Sequence, residues 1–234
     1  MKKIKLIYGS VITLSFILSN SASATVFDFN YNNLGVTAGE TYNSVSMTAE
    51  SISVDVNAFT VINDGNGNIN SLTEINVSGL GIYVNSSATN GSLGVRSSSS
   101  DGRELDGGTS SSDPDEGMLF SFSEIVSLNY VDFDNFTSSR NDDFNLTVDG
   151  KAIVWDFSGN DSSDFVTQVP GQHSEYNFTD ISGKNFFFWA DGRSDSFLID
   201  KLSVTSSIPE PMTLFLLGVG LLGFTLVRSK NGND

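Results

Sequence analysis

Apolar side chains recur at every second position in short runs between Thr25 and Ser207, and no run of useful length keeps a helical period. Val26-Phe27-Asp28-Phe29-Asn30-Tyr31 puts Phe27 and Phe29 on one face of a first strand. Val45 to Ile62 holds two or more strand pieces, with Ile52, Val54 and Val56 facing one way. Asn63 to Asn68 is a Gly/Asn/Asp turn region, and Leu72 to Val84 returns toward sheet, interrupted at Gly79 and Gly81. Met118 to Phe122 and Val126 to Phe133 read as two strands. Phe144, Leu146 and Val148 alternate up to Asp149-Gly150, a hairpin signal, and Ile153, Trp155 and Phe157 answer on the far side. Phe165 to Val169 and Tyr176 to Phe178 are shorter pieces. Lys184 to Ala190 is apolar on both faces, as a central strand with one face partly under a loop would be, and Phe197 to Thr205 closes the series.

About ten short strands with Gly/Asp/Asn turns predict an all-β chain, an antiparallel sandwich or jelly roll. Residues 85–115 break the rhythm. They carry Ser97 to Ser100 and a second Ser/Thr/Gly/Asp cluster, and read as one long polar loop on a single sandwich.

The two ends differ from the middle. Lys2, Lys3 and Lys5 precede a mostly apolar Leu6 to Leu18, and Ser21-Ala22-Ser23-Ala24 supplies the small side chains that a signal peptidase requires. Residues 1–24 are therefore read as a signal peptide, with Ala22 and Ala24 at the cleavage site. At the other end Pro209-Glu210-Pro211 leads into an apolar run from Met212 to Val227, followed by Arg228 and Lys230. Sixteen residues span about 24 Å as a helix, short for a hydrocarbon core of about 30 Å. The basic end predicts a single membrane helix with its terminus in the cytoplasm and the body outside.

This tail resembles the PEP-CTERM sorting signal of exported proteins of Gram-negative bacteria. The resemblance rests on Pro209, Glu210 and Pro211, the Leu/Gly-rich run and the basic Arg228 and Lys230, over Ile208 to Lys230. Met212 replaces the common small residue after the triplet, and the basic end is thinner than the usual arginine cluster. The family implies a host that makes extracellular polysaccharide and recognition by an exosortase that cuts near the triplet. The resemblance implies an inner-membrane intermediate, then a place on the cell surface or in the extracellular matrix.

Between the ends, residues 25–207 form about 183 positions, enough for one domain with a real core. They hold 7 basic against 26 acidic residues, a formal charge of about −19. Such a surface repels nucleic acid and anionic membranes and attracts divalent cations, basic proteins or neutral glycans. The chain has no cysteine, which excludes a thiol nucleophile or thiolate metal site, and its one histidine, His173, reads as an exposed residue of a polar loop without a nucleophile-elbow motif.

The candidate chemistry is that of oxygen. Calcium takes six to eight oxygen ligands. Asp101, Glu104 and Asp106, in the polar loop, are candidate carboxylate ligands for structural calcium. The order of loop, paired strands, aromatic strand and closing acidic strand resembles the jelly-roll ectodomains found ahead of this sorting tail and, in general terms, carbohydrate-binding sandwiches. That second resemblance adds Asp200 as an acidic calcium ligand on the last strand. For a sugar, which needs an aromatic plane, Trp189 and Tyr130 are the leading candidates, with Tyr83 and Trp155 behind them. Trp155 is favoured for core packing by Ile153 and Phe157. No carboxylate pair stands above the background of turn acids for glycoside hydrolysis. The expectation is a non-enzymatic surface or matrix protein associated with extracellular polysaccharide or biofilm. The alternative is a calcium-dependent carbohydrate-binding module, with a glycan hydrolase behind it.

Overall fold

Alternation of aromatic and small polar residues leaves each strand one face that must be buried, and two sheets packed face to face satisfy that need. A computed structural model describes residues 23–63, 69–86, 91–107, 114–135, 144–152, 168–169, 173–190 and 195–206. Its strands are β1 (Ala24–Asp28), β2 (Thr41–Tyr42), β3 (Ser44–Ala49), β4 (Ile52–Asn63), β5 (Ile69–Glu74), β6 (Gly81–Val84), β7 (Leu93–Arg96), β8 (Leu105–Asp106), β9 (Asp115–Asp134), β10 (Asn145–Val148), β11 (Lys151–Ala152), β12 (Gln168–Val169), β13 (His173–Asn177), β14 (Ser182–Trp189) and β15 (Ser196–Ser206). One helical turn, α1 (Tyr31–Leu34), is capped by the Asn30 side chain, which accepts a hydrogen bond from Asn33 N–H.

The strands form a nearly closed antiparallel sheet in two layers, and β9 belongs to both. Its first part, Asp115 to Phe122, lies between β4 and β14, with β10 and β11 beyond β14 and β3 and β5 beside β4. Its second part, Val126 to Asp134, lies between β15 and β13. The other edge of β15 is taken in turn by β8, β7 and β1, and β7 continues through β6 to β2.

Phenylalanine joins the layers. Phe27 and Phe29 meet Phe122 and Phe120 at 5.5 and 5.4 Å between ring centroids, and Phe133 lies 6.3 Å from Phe188 and 5.1 Å from Phe197. Val54, Val56 and Ala58 pair with Phe122, Phe120 and Met118 in the same buried row.

β14 is apolar on both faces for a visible reason. Phe186 and Phe188 enter this core, whereas Phe187 and Trp189 build a second buried cluster with Val61, packed by Phe59, Ile69 and Leu119.

Several expectations change. The two strands read over 118–122 and 126–133 are one strand of 20 residues. Within it the inward face shifts from Val126 and Leu128 to Val131 and Phe133, because Asn129 is an extra residue between Tyr130↔Ser203 and Leu128↔Val204. A second extra residue, Asp200, separates Phe133↔Ile199 from Asp132↔Lys201 and moves the inward face of β15 from Ile199 to Leu202. The segment 85–115 is not only loop. It contains β7 and β8, with Leu93, Val95 and Leu105 fully buried. His173 opens β13 and pairs with Asp134 instead of lying in a loop. The hairpin read at Asp149-Gly150 joins β10 to β11, both residues at positive φ (48° and 76°). The expected signal residues up to Ala22, the turn at 64–68, Trp155 with its partners, and the tail with Pro209, Glu210, Pro211, Arg228 and Lys230 lie outside the described residues. So does the apolar helix read over 212–227.

Candidate functional site

Three carboxyl groups come together where the 97–104 loop returns to the sheet: Asp101 in the loop, Asp106 on β8 and Glu116 on β9. One oxygen of each lies within 4.8 Å of the others. Two unit charges at that separation repel by roughly 3 kcal/mol at an effective dielectric of about 20. Three such groups cannot all stay ionised cheaply without a counter-charge.

Each is fixed by local structure. The Asp101 side chain turns the loop by accepting from Ser97 N–H at 2.6 Å and Ser97 Oγ at 3.1 Å. Asp106 is held by the pairing of β8 with Ser196 and Phe197 of β15, and Gly107 N–H bonds the Asp195 carbonyl at 3.1 Å. Glu116 Oε2 accepts from Asp106 N–H at 3.3 Å, and the Glu116 carbonyl accepts from Ala190 N–H at 3.1 Å. Glu116 is 0% exposed, and its Oε1 is buried with no hydrogen-bond partner among the described residues.

Burial pushes the Glu116 carboxyl well above its ordinary 4.5. A hydrogen bond shared with Asp101 and the negative charges of Asp106 and Asp101 act in the same direction, and Ser97 opposes them.

Of the four expected ligands, two enter this cluster. Glu104 does not: its carboxylate binds Asn135 Nδ2 and Ser196 Oγ and so ties the loop to the ends of β9 and β15. Asp200 does not either. It is the extra residue of a β-bulge, 1% exposed, with its carbonyl on Phe29 N–H and its Oδ2 2.9 Å from Lys201 Nζ. Burial raises the Asp200 carboxyl above 3.8, and the hydrogen bond from Lys201 draws it back.

Glu116 is inconspicuous in the sequence because it stands among turn-like acids ahead of Met118. Its sequence signal is parity: Glu116, Met118, Phe120 and Phe122 occupy one face of β9. An acid in an inward row is the informative kind of buried polar residue.

Two of the expected sugar platforms, Trp189 and Tyr83, are covered. Trp189, expected at a strand end available for stacking, is 1% exposed in a cluster with Val61 and Phe187, and Gly117 opposite it leaves room for the Phe187 ring. Tyr83 is buried, with the Arg103 guanidinium 5.1 Å over its ring. Tyr130 is half-buried near Asp132, Glu175 and Lys201, and burial, followed by the Glu175 charge, raises its hydroxyl above 10.0. A shallow depression on the outer face, lined by Phe59, Leu72, Leu119 and Phe187, is mainly apolar.

The chain's handling is decided at its end. Residues 207–230 match the PEP-CTERM protein-sorting motif. The PEP-CTERM tail marks an exported protein of a Gram-negative bacterium that passes through the membrane and is recognised by an exosortase. A search of curated proteins finds no match to the chain. The β-domain ahead of the motif is consistent with a jelly-roll-like ectodomain.

Proposed function

We propose that the chain is a non-enzymatic surface or extracellular-matrix protein, released into its place by exosortase cleavage near Pro209-Glu210-Pro211 and associated with extracellular polysaccharide or biofilm. The observation that carries this reading is the PEP-CTERM match over residues 207–230, directly after the last strand of a folded acidic β-domain. A signal-peptidase site at Ala22 and Ala24 completes the route, because cleavage after Ala24 leaves Thr25 to Asp28 paired with β15.

The acidity supports a place in a hydrated anionic or neutral matrix, held by bridging divalent cations and not by direct attraction to anionic lipid. The burial of Trp189 and Tyr83 weighs against the carbohydrate-binding alternative, which needs exposed aromatic planes.

The test is the C-terminus of the protein recovered from the cell surface or medium of an exosortase-bearing host. Mass spectrometry is expected to find a terminus at or near Pro209 to Pro211, and full-length chain in the membrane of an exosortase deletion. Intact Arg228 and Lys230 on the surface-exposed form would overturn processing. Failure of the processed protein to co-fractionate with polysaccharide would overturn the matrix assignment.

A further inference from the structure

We propose that Asp101, Asp106 and Glu116 form a binding site for one hard divalent cation, calcium. The set keeps Asp101 and Asp106 of the four acids the sequence suggests, and the fold replaces Glu104 and Asp200 with Glu116.

Two independent observations meet here. The first is the cluster itself: three carboxylates from three separate places in the chain, one oxygen of each within 4.8 Å of the others. The second is Glu116, fully buried in the inward row of β9, with Oε1 lacking any hydrogen-bond partner among the described residues. The buried Glu116 Oε1 is a costly acceptor to leave unmatched, and a cation would satisfy it while offsetting the mutual repulsion of the three carboxylates.

The donor set names the ion class. All three ligands are carboxylate oxygens, with no nitrogen or sulfur, which suits calcium or magnesium and not zinc or copper. The three ligands come from a loop, a two-residue strand and a long strand, and the flexible geometry of calcium tolerates such a set better than the strict octahedron of magnesium does. Three negative charges against two positive also leave the site favourable to a divalent ion after one charge is uncompensated.

The position gives the ion a task. Asp106 rides on β8, held to β15, and Asp101 closes the Ser97 to Asp101 turn. Glu116 stands where β9 begins, its carbonyl on the chain just after β14. An ion here would clasp the polar loop to both layers at one end of the sandwich. Folding and calcium binding would then be linked, and the domain would be most stable in the calcium-rich exterior.

The experiment uses the full chain in mild detergent, stripped with a chelator, then titrated with calcium alone by calorimetry and followed by thermal unfolding. One calcium per chain and a rise in Tm are expected. Glu116→Gln is expected to lose both, and its metal-free Tm is expected to equal or exceed that of the parent, which shows that it folds. Asp101→Asn and Asp106→Asn each should lose binding too, whereas Glu74→Gln, an exposed acid on β5 outside the cluster, should keep it. No heat and no change in Tm on adding calcium to the parent would overturn the site. So would a calcium response that survives in Glu116→Gln. An equal response to magnesium would overturn the assignment to calcium. None of these readouts depends on sorting or polysaccharide.

Discussion

Gly94 lies directly against the carbonyl of Arg103. A Cβ at position 94 would overlap that backbone oxygen and come within 2.7 Å of Leu198 Cδ2, so only glycine lets the polar loop pack onto β7. Gly94→Ala is expected to destabilise the domain by about 1–3 kcal/mol, the range for overpacking a filled core. Because the displaced loop carries Asp101 and leads into Asp106 on β8, the same substitution should also reduce the calcium-induced rise in Tm. Denaturant midpoints with and without calcium separate the two effects.

Glu116 sets a pH dependence. Its folded carboxyl is held well above the ordinary 4.5 by burial, with Asp101 and Asp106 the charges acting on it. A group with a raised folded value stabilises most below its unfolded value and loses that contribution as pH rises through the folded value. The metal-free protein is therefore expected to lose stability as pH rises above about 4.5, and calcium to restore it progressively over that range. Glu116→Gln should flatten both trends. Thermal unfolding across pH, with calcium or with chelator, checks this.

Lys201 is the counter-ion of the bulge residue Asp200, at 2.9 Å, and lies 3.6 Å from Asp132. Lys201→Met is expected to cost roughly 2 kcal/mol near neutral pH, since a buried carboxylate loses a charged hydrogen bond. The Asp200 carboxyl already stands above its usual value, so the loss should shrink on acidification as that group takes up a proton. Chemical denaturation at two pH values measures the difference.

Phe188 packs edge-on against Phe120 at 5.8 Å and near Phe133, Phe144 and Phe178. Phe188→Ala is expected to cost about 3–5 kcal/mol. Trp189→Phe, in the smaller cluster on the other face, should cost less and leave any polysaccharide association unchanged, because the indole is covered. Retention on a polysaccharide matrix, compared between the parent and Trp189→Phe, tests the second point.

The strand pattern was legible where alternation is uninterrupted. Phe27 with Phe29, Ile52 with Val54 and Val56, and Phe144 with Leu146 and Val148 are buried as their spacing implies. Reading failed at irregularities. The extra residues at Asn129 and Asp200 reverse the inward face, and a period-two rule carried through them assigns the wrong side.

Leu93 and Val95 were hidden by polar neighbours, since two short strands supply too few positions for a period to show. Asp101 and Asp106 stand out by charge, but their partner Glu116 lies on a different strand and meets them through the Asp106 N–H bond to its Oε2. Asp200 shared only their charge. Trp189 stands at a strand end in the sequence, and the cover provided by Val61 and Ile69 is a long-range contact with no local sign.

The pairing of β1 with β15 has a temporal consequence. Ala24 faces Thr205, so the first strand to cross the membrane is hydrogen-bonded to the last. β1 waits without its partner strand until nearly the whole chain has been translocated. β15, which also completes the second layer beside β9, arrives just ahead of Pro209. The sandwich thus needs β15, the stretch of chain immediately before the sorting motif, for its closure. Ser206 ends the last strand three residues before Pro209, so the domain and the sorting motif are adjacent in the chain. The last strand to be made is therefore both the partner of the first and the immediate neighbour of the tail.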